Sequence, residues 1–339
     1  MIVSNAPVLE EAHVVCDWLE FAVLCSQYGT FSFASLQREW DIHRNQEDSD
    51  PEGGDSVEEA FIEGIKSEIS ERIRLLGEAY PFQLSDSGES LNQAVSFTFG
   101  QLSYLLCLIL SHPKDGAVLS GHYLPPINNR IRDYFQAIST LAAADEVRGH
   151  SFSFGFPRPD HTGFLKKLGI IYSIFGESTV VVSAIPAGAS PSPKDEQIDI
   201  IAWSPRQDHA AGKAYLLAQV ASGANWDSKT IKGGPIVSFH SLWFQRPPAS
   251  ESTAAIYVPI CFGNFIDNSN NSKIDARTYE FGRIFYRFLI PLQAARGLQL
   301  SQENKDLRIE RTIDVEGITA WVNEQVNIFK NHNSYAVAS

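Results

Sequence analysis

The chain has 339 residues, 44% of them hydrophobic, with 27 Lys and Arg against 40 Asp and Glu. That length predicts two domains, or one large domain with a helical addition, and the apolar fraction excludes wholesale disorder. Cys16, Cys25, Cys107 and Cys261 have neither metal-ligand spacing nor the density of a disulfide framework, which fits a reducing cytoplasm.

The start, MIVSNAPVLEEAHVV, lacks a basic segment followed by an apolar one, so no signal peptide is expected. The longest apolar stretch, residues 94–110, is interrupted by Ser96, Gln101 and Ser103 and falls short of the roughly 20 residues of a membrane span. A soluble cytoplasmic protein is expected. The charge is uneven: residues 1–100 carry 5 Lys and Arg against 19 Asp and Glu, the remainder 22 against 21. Much of the acidity lies in Glu47, Asp48, Asp50, Glu52, Asp55, Glu58 and Glu59. This stretch reads as a solvated loop or as a surface that docks a basic partner.

Residues 8–40 read as mainly helical. In residues 57–79, Val57, Phe61, Ile65, Ile69, Ile73 and Leu76 recur at steps of three or four, the mark of an amphipathic helix. Ser56 and Glu59 can cap it, and Pro81 closes it. Two more helices are expected over 91–111 and 130–147, so residues 1–150 form an all-helical region. After Gly149 the texture changes. An aromatic, Pro-containing turn over 152–159 and a helix over 162–175 precede short β-rich pieces at 179–185, 197–203, 214–221 and 254–262. A last helix over 276–292 carries Arg277, Arg283 and Arg287. Residues 151–339 are therefore expected as an α/β sandwich with a small mixed sheet.

The strand QIDIIAW (197–203) places Asp199, Ile201 and Trp203 on one face by its period of two. If AYLLAQVA (214–221) returns as a hairpin with Trp203 opposite Tyr215, then Asp199 stands opposite Gln219. Facing side chains in such a pair have Cβ atoms about 4.5–5.5 Å apart. A carboxylate and a carboxamide oxygen are hard donors suited to Mg²⁺ or Mn²⁺, with water and phosphate filling the remaining positions. Asn225 reads as a helix N-cap, which puts Lys229 in a first helical turn close by. There it could orient a water or neutralise developing phosphorane charge. Other readings are a structural buried Asp199 paired with an Arg, a Gln219 that satisfies a backbone group, and an exposed helix Lys229.

An Asp on one strand followed by (D/E/Q)-x-K on the next resembles the PD-(D/E)xK pattern of restriction-endonuclease-like nucleases. The segments xIDIIAW and LLAQVA are most similar to the Mrr-like branch and related antiphage-defence nucleases. The resemblance covers roughly residues 160–262. It implies a restriction-endonuclease-like α/β core with helices on both faces, Asp199 as the metal-binding Asp and Gln219 as second ligand. The pattern departs at Ala221, where the family has Lys. Lys229 is the candidate replacement, with Lys213 and Lys232 behind it.

Glu177 could add a metal oxygen, and Arg277, Arg283 and Arg287 could contact phosphate, Arg283 and Arg287 sharing one helix face. The expected function is a Mg²⁺-dependent DNA endonuclease of restriction or antiphage defence. It would work with a protein partner of ATPase or helicase type that docks on the acidic first half. The alternative is a catalytically degenerate scaffold subunit with the same fold.

Overall fold

The computed structural model describes residues 6–46, 54–114, 116–119 and 124–333. Glu47, Asp48, Asp50 and Glu52 lie outside the described residues, as does most of the expected acidic docking surface. Among the described residues, no helix is long and apolar enough to cross a membrane.

Helix α1 (Ala12–Cys25), strand β1 (Thr30–Ser32), α2 (Phe33–Gln46) and α3 (Gly54–Leu76) open the chain. Strands β2 (Phe82–Leu84) and β3 (Ser90–Gln93) join β1 in an antiparallel sheet of order β1-β3-β2. The first 150 residues are thus not all helical. The helix expected over 91–111 starts late, as α4 (Phe99–Ser111), for two reasons. Leu91 is paired with Phe31 on one side and Leu84 on the other. Thr98 and Gln101 then form a reciprocal capping box that fixes the helix start. The helix expected over 130–147 is α5 (Asn129–Val147), capped by the Asn128 side chain, which accepts from the Ile131 N–H at 3.2 Å.

Strand β4 (His150–Ser153) takes the first two residues of the segment read as an aromatic turn, and α6 (Phe164–Phe175) follows. Of the strand expected over 179–185, only β5 (Val180–Val181) forms. Next come β6 (Ile200–Trp203), β7 (Tyr215–Val220), α7 (Gly234–Trp243), β8 (Phe244–Arg246) and β9 (Ser252–Tyr257). The helix expected over 276–292 is replaced by α8 (Ser269–Phe281), β10 (Arg283–Phe285) and the start of α9 (Ile290–Glu303). Gly282 makes that break. Its φ is +80°, and a Cβ there would collide with the Ala254 main chain. Helix α10 (Val315–Asn333) ends the described chain.

The central sheet runs β10-β9-β7-β6-β4. Strands β10, β9 and β7 are parallel, while β7, β6 and β4 form an antiparallel meander. Alternation divides β6 and β7 between two cores. Ile200, Ala202, Leu216 and Ala218 face the larger one, built on α4 and α5. Ile201, Trp203, Tyr215 and Leu217 face the other, closed by Phe164, Leu168 and Tyr172 of α6 and by Phe239 and Trp243 of α7. The chain is therefore mixed α/β with helices on both sheet faces. Helix α9 lies along α4 and α5, and α10 along α1 and α4. The helical layer thus draws on both sides of residue 150, and the expected boundary there does not separate two cores.

Candidate active site

The hairpin register is the expected one: Trp203 faces Tyr215 and Ile200 faces Ala218, which brings Asp199 and Gln219 to the same end. The expected face is not kept. Ile198 packs in the α6/α7 core and Ile200 in the α4/α5 core, although strict alternation would place both together. The cause is local. Glu196 and Gln197 have positive φ (52° and 68°), and the Asp199 N–H donates to the Ala218 carbonyl at 2.9 Å, so Asp199 and Ile200 both address Ala218. Two residues against one is the geometry of a bulge, which turns a side chain off its regular face.

As a result the Asp199 carboxylate lies at the strand end. Its Oδ2 accepts from the Val220 N–H at 2.8 Å. Its Oδ1 lies beside Gly155 and the Gln136 carboxamide: a Cβ on Gly155 would stand 2.6 Å from Oδ1 and 2.5 Å from Gln136 Nε2. The Asp199 carbonyl accepts from the N–H groups of Phe154 and Gly155 at 2.7 and 3.1 Å, anchoring it to the segment after β4. Burial pushes the Asp199 carboxyl up to about 7, and the negative charge of Asp195 adds to the rise. The Val220 N–H and the Lys229 ammonium oppose it. Lys229 is therefore electrostatically coupled to Asp199. No arginine pairs with this carboxylate among the described residues, contrary to the structural reading of Asp199.

Gln219 is half-buried, and its Oε1 is buried without a hydrogen-bond partner among the described residues. Such an orphaned acceptor costs free energy unless something outside the present contacts satisfies it. Lys229 follows a 3-10 turn, Trp226–Ser228, whereas α7 begins only at Gly234, so the helix expected to start at Asn225 does not form there. Ala221 is buried, and its N–H donates to the Tyr257 carbonyl at 2.9 Å.

The other candidates are committed elsewhere. Glu177 accepts from the Ser250 hydroxyl at 2.6 Å and from the Ala249 and Ser250 N–H groups, and pairs with Lys213 at 3.3 Å. Lys213 precedes β7, at the hairpin end opposite Gln219, so Glu177 is not part of the Asp199 cluster. The Lys213 ammonium is buried against Glu177 and the Phe175 carbonyl, and that of Lys232 donates to the Tyr279 carbonyl at 2.9 Å. Arg277 pairs with Glu280 at 3.3 Å, and Arg283, on β10, pairs with Glu146. Arg287 is fully buried and bound to Asp17. It cannot touch phosphate, and it shares no helix face with Arg283.

Two groups at the site escape sequence reasoning. Gln136 is a half-buried residue on α5, on the helix face it shares with Arg132, Asp133, Ser139 and Thr140; its Nε2 donates to Ser153 Oγ at 2.9 Å and to the Asp199 carbonyl at 3.4 Å. Asp195 accepts from the N–H groups of Gln197 and Phe156 at 3.0 and 3.1 Å, and its charge reaches Asp199. The sequence signal for Gln136 is a polar stripe on α5, Arg132, Asp133, Gln136, Ser139 and Thr140, and it does not single out Gln136.

Among the described residues, no group of three or more His, Cys, Asp or Glu side chains converges to hold a metal ion. The hairpin end holds the Asp199 carboxylate, whose charge state feels Asp195 and Lys229, and the neighbouring strand carries the Gln219 carboxamide at the same end. The fold and site define a mixed α/β protein with a polar cluster at the end of a central hairpin. Comparison with family models, curated proteins and solved structures gives no match.

Proposed function

We propose that the chain is a metal-dependent phosphodiesterase acting on DNA, of the restriction or antiphage-defence kind that its residue pattern resembles. One observation carries this reading: Asp199 and Gln219 reach the same hairpin end, and Gln219 presents a buried oxygen with no partner among the described residues. The donor set fits Mg²⁺ or Mn²⁺, because an orphaned neutral oxygen and a proton-loving carboxylate both gain from a cation. Asp199 and Gln219 would hold the ion, with Asp195 adding negative charge beside them. The ion would supply charge neutralisation for a phosphodiester and its leaving oxygen.

The chain's own groups do the rest. The Val220 N–H and the Phe154 and Gly155 N–H groups fix the Asp199 residue at both its carboxylate and its carbonyl. Lys229 favours the ionised form of Asp199 and offers an ammonium to developing negative charge. Gln136 braces the Asp199 carbonyl from α5. A restriction-endonuclease-like core, a cytoplasmic setting and a partner of ATPase or helicase type belong to the same proposal.

A second reading has its own support. Ala221 is buried where the family pattern has Lys, and the cluster contains fewer carboxylates than a self-sufficient metal site. On that reading the chain is a non-catalytic scaffold subunit. Thermal stability measured with and without Mn²⁺ separates the two. A metal site raises the melting temperature as the ion is titrated, and Asp199→Ala abolishes the rise. No rise in the wild-type protein favours the scaffold.

A further inference from the structure

A cavity of about 590 Å³ opens immediately beyond the hairpin end that carries Gln219. Its walls come from three parts of the chain: the end of α4 with His112 and Lys114, Arg132 in the first turn of α5, and the turn from Ser222 to Asn225 that follows β7. Lys114 and Arg132 are both exposed. Arg132 Nη1 donates to Ser222 Oγ at 3.3 Å, which holds the guanidinium against the turn. Neither cation forms an ion pair among the described residues.

The surroundings favour an anion. Arg132 lies in the first helical turn of α5, where unpaired N–H groups add positive partial charge. Gly223 keeps the turn open: a Cβ there would lie 3.7 Å from Arg132 Nη1 and 3.1 Å from Asn225 Oδ1. The Asp17 carboxylate behind His112 is occupied, since it accepts from Arg72, Arg287 and His112. Arg132 and Gln136 are four residues apart on α5, so one helix face serves both this cavity and the Asp199 carbonyl.

We infer that this cleft binds a backbone phosphate of the DNA strand that enters the Asp199/Gln219 site, with Arg132 and Lys114 as the phosphate contacts. The inference rests on the phosphodiesterase reading and names where its substrate strand lies. Ser222 stands three residues past Gln219, about 10 Å along an extended chain. At roughly 3.4 Å of rise per nucleotide, a phosphate in the cleft is a few nucleotides from the bond at the site. In a chain of net charge −13, the wall of this cleft carries two cations, Lys114 and Arg132, that form no ion pair among the described residues.

The test is fluorescence polarisation of labelled single-stranded and duplex DNA with the full chain in EDTA, which isolates binding from cleavage. Arg132→Ala and Lys114→Ala are each expected to weaken binding several-fold and to lower the slope of log affinity against log salt by about one. Arg132→Lys keeps most of the affinity, Arg277→Ala binds as wild type, and melting temperatures confirm that each variant folds. Equal binding by wild type and both alanine variants, or no binding by wild type, overturns the inference. So does an acidic peptide that binds the wild-type cleft better than DNA, which would make the partner a protein. If binding depends on Arg132 and Lys114 but wild type never cuts DNA with Mg²⁺, the phosphodiesterase reading fails and the cleft stands.

Discussion

Arg287 and Asp17 lie 270 residues apart in the chain and meet in a two-bond contact of 2.6 and 2.8 Å at the centre of the helical layer. Arg72 reaches the same carboxylate at 2.7 Å and Glu20 at 2.6 Å, and Tyr80 and Tyr104 donate to Glu20. Burial works against the Asp17 charge, yet Arg287 and Arg72 hold its carboxyl well below the usual range. Removing Arg287 takes away the larger of the two guanidinium charges that hold Asp17 ionised and leaves Arg72 as the one arginine beside two buried carboxylates, Asp17 and Glu20. Arg287→Ala is therefore expected to cost about 3–5 kcal/mol of stability. Urea unfolding checks this. A folded Arg287→Ala variant of wild-type stability that loses only DNA affinity would return Arg287 to the surface.

Asp199 gives the metal-free protein a pH dependence of known sign. Its carboxyl titrates near 4 when unfolded and is pushed up to about 7 in the fold. Between those values the folded state binds more protons, so this residue's contribution to stability falls as pH rises and levels off above about 7. Asp199→Asn removes the effect. In EDTA the variant is expected to melt at or above wild type at pH 8 and to show a flatter profile from pH 5 to pH 8. Parallel profiles for the two proteins would mean that Asp199 ionises normally.

Gly155 tests how closely the site is built. A methyl group there meets Asp199 Oδ1 and the Gln136 carboxamide inside van der Waals contact. Gly155→Ala is expected to destabilise by about 1–3 kcal/mol through overpacking and to weaken metal-induced stabilisation. Gln136→Ala in the same background relieves part of the crowding, so the double variant should recover some stability. Additive losses would show that the two side chains do not share that space.

Lys229 acts on Asp199 through its charge. Lys229→Ala is expected to raise the Asp199 carboxyl further, and Lys229→Arg to leave it near the wild-type value. Carbon-detected NMR titration of the Asp199 carboxyl reads this directly. An unchanged titration in Lys229→Ala would remove Lys229 from the site.

The register of the central hairpin is legible in the chain because both strands alternate cleanly and pairing fixes every opposite partner once one is set. The bulge at Asp199 is not. It depends on two residues with positive φ, Glu196 and Gln197, neither of which is a glycine that would announce a left-handed turn. The basic stripe fails for a similar reason. Arg277, Arg283 and Arg287 look like one helix until Gly282 breaks it, and periodicity averages over a single glycine. The Asp17 and Arg287 contact joins segments at opposite ends of the chain, and no local pattern encodes it. Gln136 and Arg132 become meaningful only once α5 is laid against the sheet.

The most direct test is plasmid nicking by the wild-type chain and Asp199→Ala, with Mg²⁺ or Mn²⁺, across supercoiled, linear and single-stranded DNA. The expected result is metal-dependent cutting by wild type, abolished by EDTA and by Asp199→Ala and sharply reduced in Lys229→Ala. Identical behaviour of wild type and Asp199→Ala on every DNA form, with a copurifying partner present, would contradict it.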